Sequence, residues 1–133
     1  MSEENVEVVR KALEASSRGD LASFSEALDP AVEWTPVKGD PGYEVHHGVE
    51  AVRAMVESWA EAFPDLRWEA ERILDAGGDR VAAIVQLTGR GAASGATTEY
   101  RYGTVFTVRG GKIVGVREYA SLRKALEAVG LSE

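Results

Sequence analysis

The chain of 133 residues holds 15 Lys and Arg against 22 Asp and Glu, a formal net charge of −7. With the basic residues scattered, this balance speaks against nucleic acid as a partner, because a binder of phosphate backbones presents a basic face. The lack of cysteine excludes disulfides, thiol catalysis and cysteine-based zinc sites. No apolar run approaches the ~18 residues of a membrane span, so no membrane partner is expected. The N-terminal MSEENVEVV is acidic and has no apolar signal core. Composition therefore predicts one cytoplasmic domain over residues 1–133, long enough to bury a core.

Ser2 to Arg18 reads as an amphipathic helix with Val6, Val9, Leu13 and Ser16 on one stripe. Gly19 closes it, and Asp20 is placed to cap a second helix from Leu21 to Leu28. Asp29-Pro30 stops that helix, and Ala31 to Thr35 reads as a short strand. Pro36 to Gly48, rich in Gly and Pro, is a loop that ends on both histidines of the protein, His46 and His47. A third helix follows from Val49 to Phe63, its stripe made by Val52, Met55, Val56, Trp59 and Phe63.

Leu66 to Asp75 alternates as a strand and turns at Ala76-Gly77-Gly78-Asp79. Arg80 to Arg90 is apolar on nearly both faces, which predicts a central strand. After a small-residue linker, Gly91 to Thr98, the stretch Glu99 to Ala120 reads as a long hairpin turning at Arg109-Gly110-Gly111-Lys112. A short helix closes the chain, Ser121 to Val129. Strands grouped after helices predict an α+β layer, not alternating βαβ units. Three helices on one face of a curved antiparallel sheet would leave a conical cavity between the layers.

This ordered set resembles the nuclear transport factor 2-like superfamily and, within it, the SnoaL-like (polyketide cyclase-like) group. The resemblance is carried by Val6 to Arg10, Arg18-Gly19-Asp20-Leu21, Asp29-Pro30 through Trp34, and His47-Gly48. Tyr102 to Tyr119 with Gly111-Lys112-Ile113-Val114, and Ala125-Leu126 through Gly130-Leu131, complete it. It implies a cone-shaped fold, a small hydrophobic molecule as ligand, and a homodimer through the outer sheet face, where Arg101, Val105, Thr107, Arg117 and Tyr119 would lie. The superfold hosts isomerases, cyclases, dehydratases, epoxide hydrolases and non-catalytic binders. The signature residues of its isomerase members are replaced here: Ala12 stands for the tyrosine, Trp34 for the aspartate base and Thr104 for the protonated aspartic acid. Ser121 stands where many SnoaL-like chains carry an acid, and the Asp-Arg-Asp set of the epoxide hydrolase members has no counterpart.

If Thr104 faces the cavity as the resemblance implies, alternation brings Tyr100, Tyr102 and Phe106 with it. The same logic favours Ile84, Gln86 and Thr88 on the preceding strand and Val116 and Glu118 on the following one. Trp34, Trp59 and Phe63 would complete the wall. Among these, Glu118, His46 and Tyr102 are the candidate catalytic residues: two proton carriers and a hydroxyl that orients a carbonyl. Each has a structural alternative. His46 is polar loop, Glu118 is a surface partner of Arg101 or Arg117, and Tyr102 is core. Neither a metal nor a cofactor is expected. Two functions stay open, a cofactor-independent cyclase or isomerase working by acid/base chemistry on a hydrophobic carbonyl compound, and a non-catalytic ligand-binding or dimerising domain.

Overall fold

Apolar residues at helical spacing make Ser2–Ser17 the first helix, α1, with Val9, Ala12, Leu13 and Ser16 buried along one side. In the computed structural model, residues 2–37, 44–90 and 95–131 are described. The middle of the expected loop, at 38–43, and the first half of the linker, at 91–94, lie outside the described residues. Asp20 caps α2 (Leu21–Glu26), its carboxylate accepting from the Ser23 N–H at 3.1 Å. That bond satisfies an orphan helix donor, and the Ser23 side chain, then this backbone N–H, hold the Asp20 carboxyl below its ordinary value.

Helix α2 ends at Glu26, earlier than its apolar pattern suggests, because Leu28 is taken by a strand. It begins β1 (Leu28–Thr35) and pairs with Ile113, whose neighbouring ladder starts with the Ile113 N–H donating to the Ala27 carbonyl at 2.8 Å. The two histidines do not belong to irregular loop. They form a short edge strand, β2 (His46–His47), antiparallel to β1. Helix α3 (Gly48–Ala62) follows, then β3 (Arg67–Asp75), β4 (Arg80–Arg90), β5 (Thr97–Arg109), β6 (Lys112–Tyr119) and α4 (Leu122–Ala128).

The strands form one six-stranded sheet in the order β2-β1-β6-β5-β4-β3. All neighbours are antiparallel except β1 and β6, which run parallel. The β5–β6 turn explains its own sequence: Gly110 and Gly111 have φ of 58° and 78°, and a two-residue turn matching strand twist needs positive φ at both positions. Helices α1, α2 and α3 cover the inner face, α1 against β3 and α3 against β1. Helix α4 packs on the opposite face of β5, where a Cβ on Gly103 would lie 2.5 Å from the Ser121 carbonyl oxygen and 2.8 Å from the Ala125 Cβ. The result is the α+β, cone-shaped arrangement expected, with helices on a curved sheet. No helix among the described residues is long and apolar enough to cross a membrane.

Candidate functional site

Ladder partners share a sheet face, so pairing decides what the inner face presents. Thr104 lies opposite Glu118 and Ala83; Phe106 lies opposite Val116 and Val81. Tyr102 is opposite Val85, and Tyr100 is opposite Leu87, itself opposite Trp68 of β3. Trp34 of β1 joins this face beside Val116. Between these residues and the three helices lies a cavity of about 370 Å³, in the range of small-molecule sites.

Its walls are largely apolar and aromatic. Trp59 of α3 and Phe63, the residue that caps its C-terminus, are stacked with ring centres 5.9 Å apart. Phe24 of α2 meets Trp34 at 6.3 Å, and Tyr100 meets Tyr102 at 5.6 Å. Trp34 and Phe106 are buried in the wall without filling the space, whereas Trp59 and Tyr100 are exposed and mark the mouth.

Glu118 and Tyr102 form the polar centre. Both line the cavity. The Tyr102 hydroxyl faces both the Glu118 carboxylate, to which it can donate, and the Trp68 indole N–H, from which it can accept. Burial first, then the charge of Glu118 and that hydrogen bond, push the Tyr102 hydroxyl well above its ordinary 10.0. The phenol therefore stays neutral, and its one proton is directed at Glu118. Thr104, adjacent to Glu118 in the ladder, is fully buried.

Two other expectations are corrected. Gln86 does not line the cavity: Val85 and Leu87 take that face, and Gln86 sits on the outer one, its Nε2 donating to Glu99 Oε1 at 2.6 Å. Ile84 and Thr88 share its phase and lie outside with it. A strand apolar on both faces carries no phase in its own pattern, and a one-residue shift exchanges the faces. His46 pairs with Trp34 at the sheet edge, half-buried, and is not among the residues lining the cavity. His47 turns to the outer side, with its Nδ1 3.5 Å from Glu33 Oε2 in an exposed pair.

Trp68 is the residue that sequence reasoning missed. Its alternation with Leu66 and Ala70 was a usable signal for the face, but only the β3–β4 register brings its indole to Tyr102. Ser16, on the last turn of α1, also reaches the cavity. Arg101, an alternative partner for Glu118, is engaged outside with Glu71 at 2.5 Å.

The model of the SnoaL-like domain family matches residues 9–116, most of the chain. The protein belongs to the SnoaL-like family. Solved structures agree with this SnoaL-like fold. Bal32a, from a soil-derived mobile gene cassette, superposes with a TM-score of 0.80 at 24% identity, covering 88% of each chain. A Burkholderia thailandensis E264 protein of the nuclear transport factor 2-like class gives 0.78 at 26% identity, covering 89% of this chain and 91% of its own. A protein of Jannaschia sp. CCS1, provisionally assigned as a SnoaL-like polyketide cyclase, gives 0.77 at 22%, covering 96% and 92%. No functionally curated protein matches the sequence significantly. Fold, family and pocket together make this a small-molecule-binding SnoaL-like protein.

Proposed function

We propose that this SnoaL-like domain is a cofactor-independent cyclase or isomerase that acts by acid/base chemistry on a small hydrophobic carbonyl compound held in the conical cavity. The observation that carries the reading is Glu118: a carboxylate in an otherwise apolar and aromatic cavity, facing the hydroxyl of the buried Tyr102. A base so placed can take a proton from the carbon beside a ligand carbonyl, and the apolar wall keeps water from levelling its charge interactions. Tyr102 is better suited to orient Glu118 than to hold the carbonyl, since its hydroxyl faces the carboxylate. His46, lying off the cavity, has no part in this scheme.

The test is proton exchange. Small cyclic and acyclic β-diketones incubated in deuterated buffer should exchange their α-protons faster with the wild type than in buffer alone. Glu118→Gln should lose roughly 10²-fold or more of that acceleration, the usual scale for a general base. Binding without any acceleration would favour the second reading, a non-catalytic ligand-binding domain. That reading has an observation of its own: the family's signature acids are replaced by Trp34, Thr104 and Ser121.

We infer further that two copies associate through the outer sheet face. Val105, Thr107, Arg117 and Tyr119 line a groove of about 440 Å³ there, together with Glu33 and Arg80. A face carrying both charge signs beside apolar area can complement itself across a two-fold axis.

A further inference from the structure

Among the described residues lining the cavity, two buried polar atoms have no hydrogen-bond partner, Trp34 Nε1 and Thr104 Oγ1. Their side chains are 8% and 1% exposed, and both line the cavity. Buried polar groups in native proteins are nearly always paired, so two such groups in one wall need a reason. Register makes them neighbours of Glu118. Thr104 is directly opposite it, and Trp34 is opposite Val116, two positions earlier on β6. That diagonal spacing, about 7–8 Å, is one that aromatic side chains span. The three groups are chemically distinct: an indole N–H only donates, a carboxylate only accepts, and a threonine hydroxyl does both. Among the described residues lining the cavity there is no Lys, Arg or His. A second negative charge there would stand against the Glu118 carboxylate, and like charges in an apolar site repel strongly.

We infer that Glu118, Thr104 and Trp34 form a polar subsite for an uncharged ligand headgroup carrying a hydrogen-bond donor beside an acceptor, such as a carbonyl next to a hydroxyl or an amide. The headgroup's donor goes to Glu118, its acceptor takes the Trp34 N–H, and the Thr104 hydroxyl serves either. Anions of the same shape are rejected. This rests on the reading of the cavity as a ligand site, and it deepens that reading by stating which headgroup the site takes.

Four naphthalenes of nearly equal shape test it: 2-naphthamide with donor and acceptor, 2-acetonaphthone with acceptor only, 2-naphthoate with a charge, and 2-isopropylnaphthalene with neither. Calorimetric titration of the wild-type chain at neutral pH should rank the amide first and the ketone second. The naphthoate should bind about tenfold or more below the amide, the scale of one charge-assisted hydrogen bond. In Glu118→Gln the gap between amide and naphthoate should shrink by about the same factor, because the repelling charge is gone. In Thr104→Val the amide should weaken while the hydrocarbon is unaffected. Naphthoate binding as tightly as the amide, or a gap unchanged in Glu118→Gln, overturns the subsite. If the hydrocarbon binds and the polar order is absent, the cavity reading stands and the subsite alone falls. If none of the four binds, the cavity reading falls and takes the subsite with it.

Discussion

Tyr102 carries more of the site's physics than its position on a long strand suggests. Its hydroxyl faces the Trp68 indole, which can donate to it, and Glu118, which can accept from it. Tyr102→Phe leaves that indole N–H and the carboxylate each short of a partner, so it should lower stability by about 1–3 kcal/mol in urea denaturation. It should also slow any Glu118-dependent proton exchange. The raised Tyr102 pKa has a pH consequence of definite sign. The folded state holds this proton more tightly than the unfolded chain, so the associated stability is present below the ordinary value of 10.0 and is lost as pH rises above it. Spectrophotometric titration should find one of the four tyrosines ionising only as the fold is lost. The Tyr102→Phe variant should lack that step and show a flatter dependence of melting temperature on alkaline pH.

At the scale of elements, the junction of β5 with α4 leaves no room for a side chain at Gly103. Ser121 caps α4, its side-chain oxygen accepting from the Lys124 N–H at 3.2 Å. Ser121→Ala should cost about 1 kcal/mol, as lost caps do. Gly103→Ala should cost more, about 1–3 kcal/mol, as over-packing does. The clashing atoms at 2.5 Å and 2.8 Å are backbone and Cβ of the helix start and cannot rotate away. Chemical denaturation of the two variants checks the order. The long hairpin itself was legible in its residues. Gly-Gly between β-branched arms specifies the turn, alternation groups Tyr102, Thr104 and Phe106 on one face, and the family resemblance pointed that face inward. Strand β4 was not legible in the same way. Residues 81–87 (VAAIVQL) are apolar in both phases, so only pairing with β5 decided that Val85 and Leu87 face the cavity while Gln86 goes out to Glu99.

For the whole molecule, the two sheet faces separate two properties that can be measured apart. If the outer groove joins two copies, sedimentation at micromolar concentration should give a dimer. Arg117→Glu, on the outer face, should shift it toward monomer without changing ligand affinity. A monomer in the wild type at those concentrations would overturn the outer-face association. Ligand binding on the inner side should instead raise the melting temperature with the logarithm of ligand concentration, as mass action requires.

The amino-acid order alone determined what depends on near neighbours: helices from apolar spacing, the Asp20 cap, the Gly-Gly turn, and so the α+β class and the cavity between its layers. Tertiary structure decided what depends on partners distant in the chain. The parallel pairing of β1 with β6 set Trp34 diagonal to Glu118, and the β3–β4–β5 register brought Trp68 to Tyr102. Pairing with Trp34 gives His46 the inner face, but at the sheet edge, where it does not line the cavity. Helix period and turn chemistry are written within a few residues. The phase of one strand against another is set only when side chains from the whole sheet compete for the same buried face.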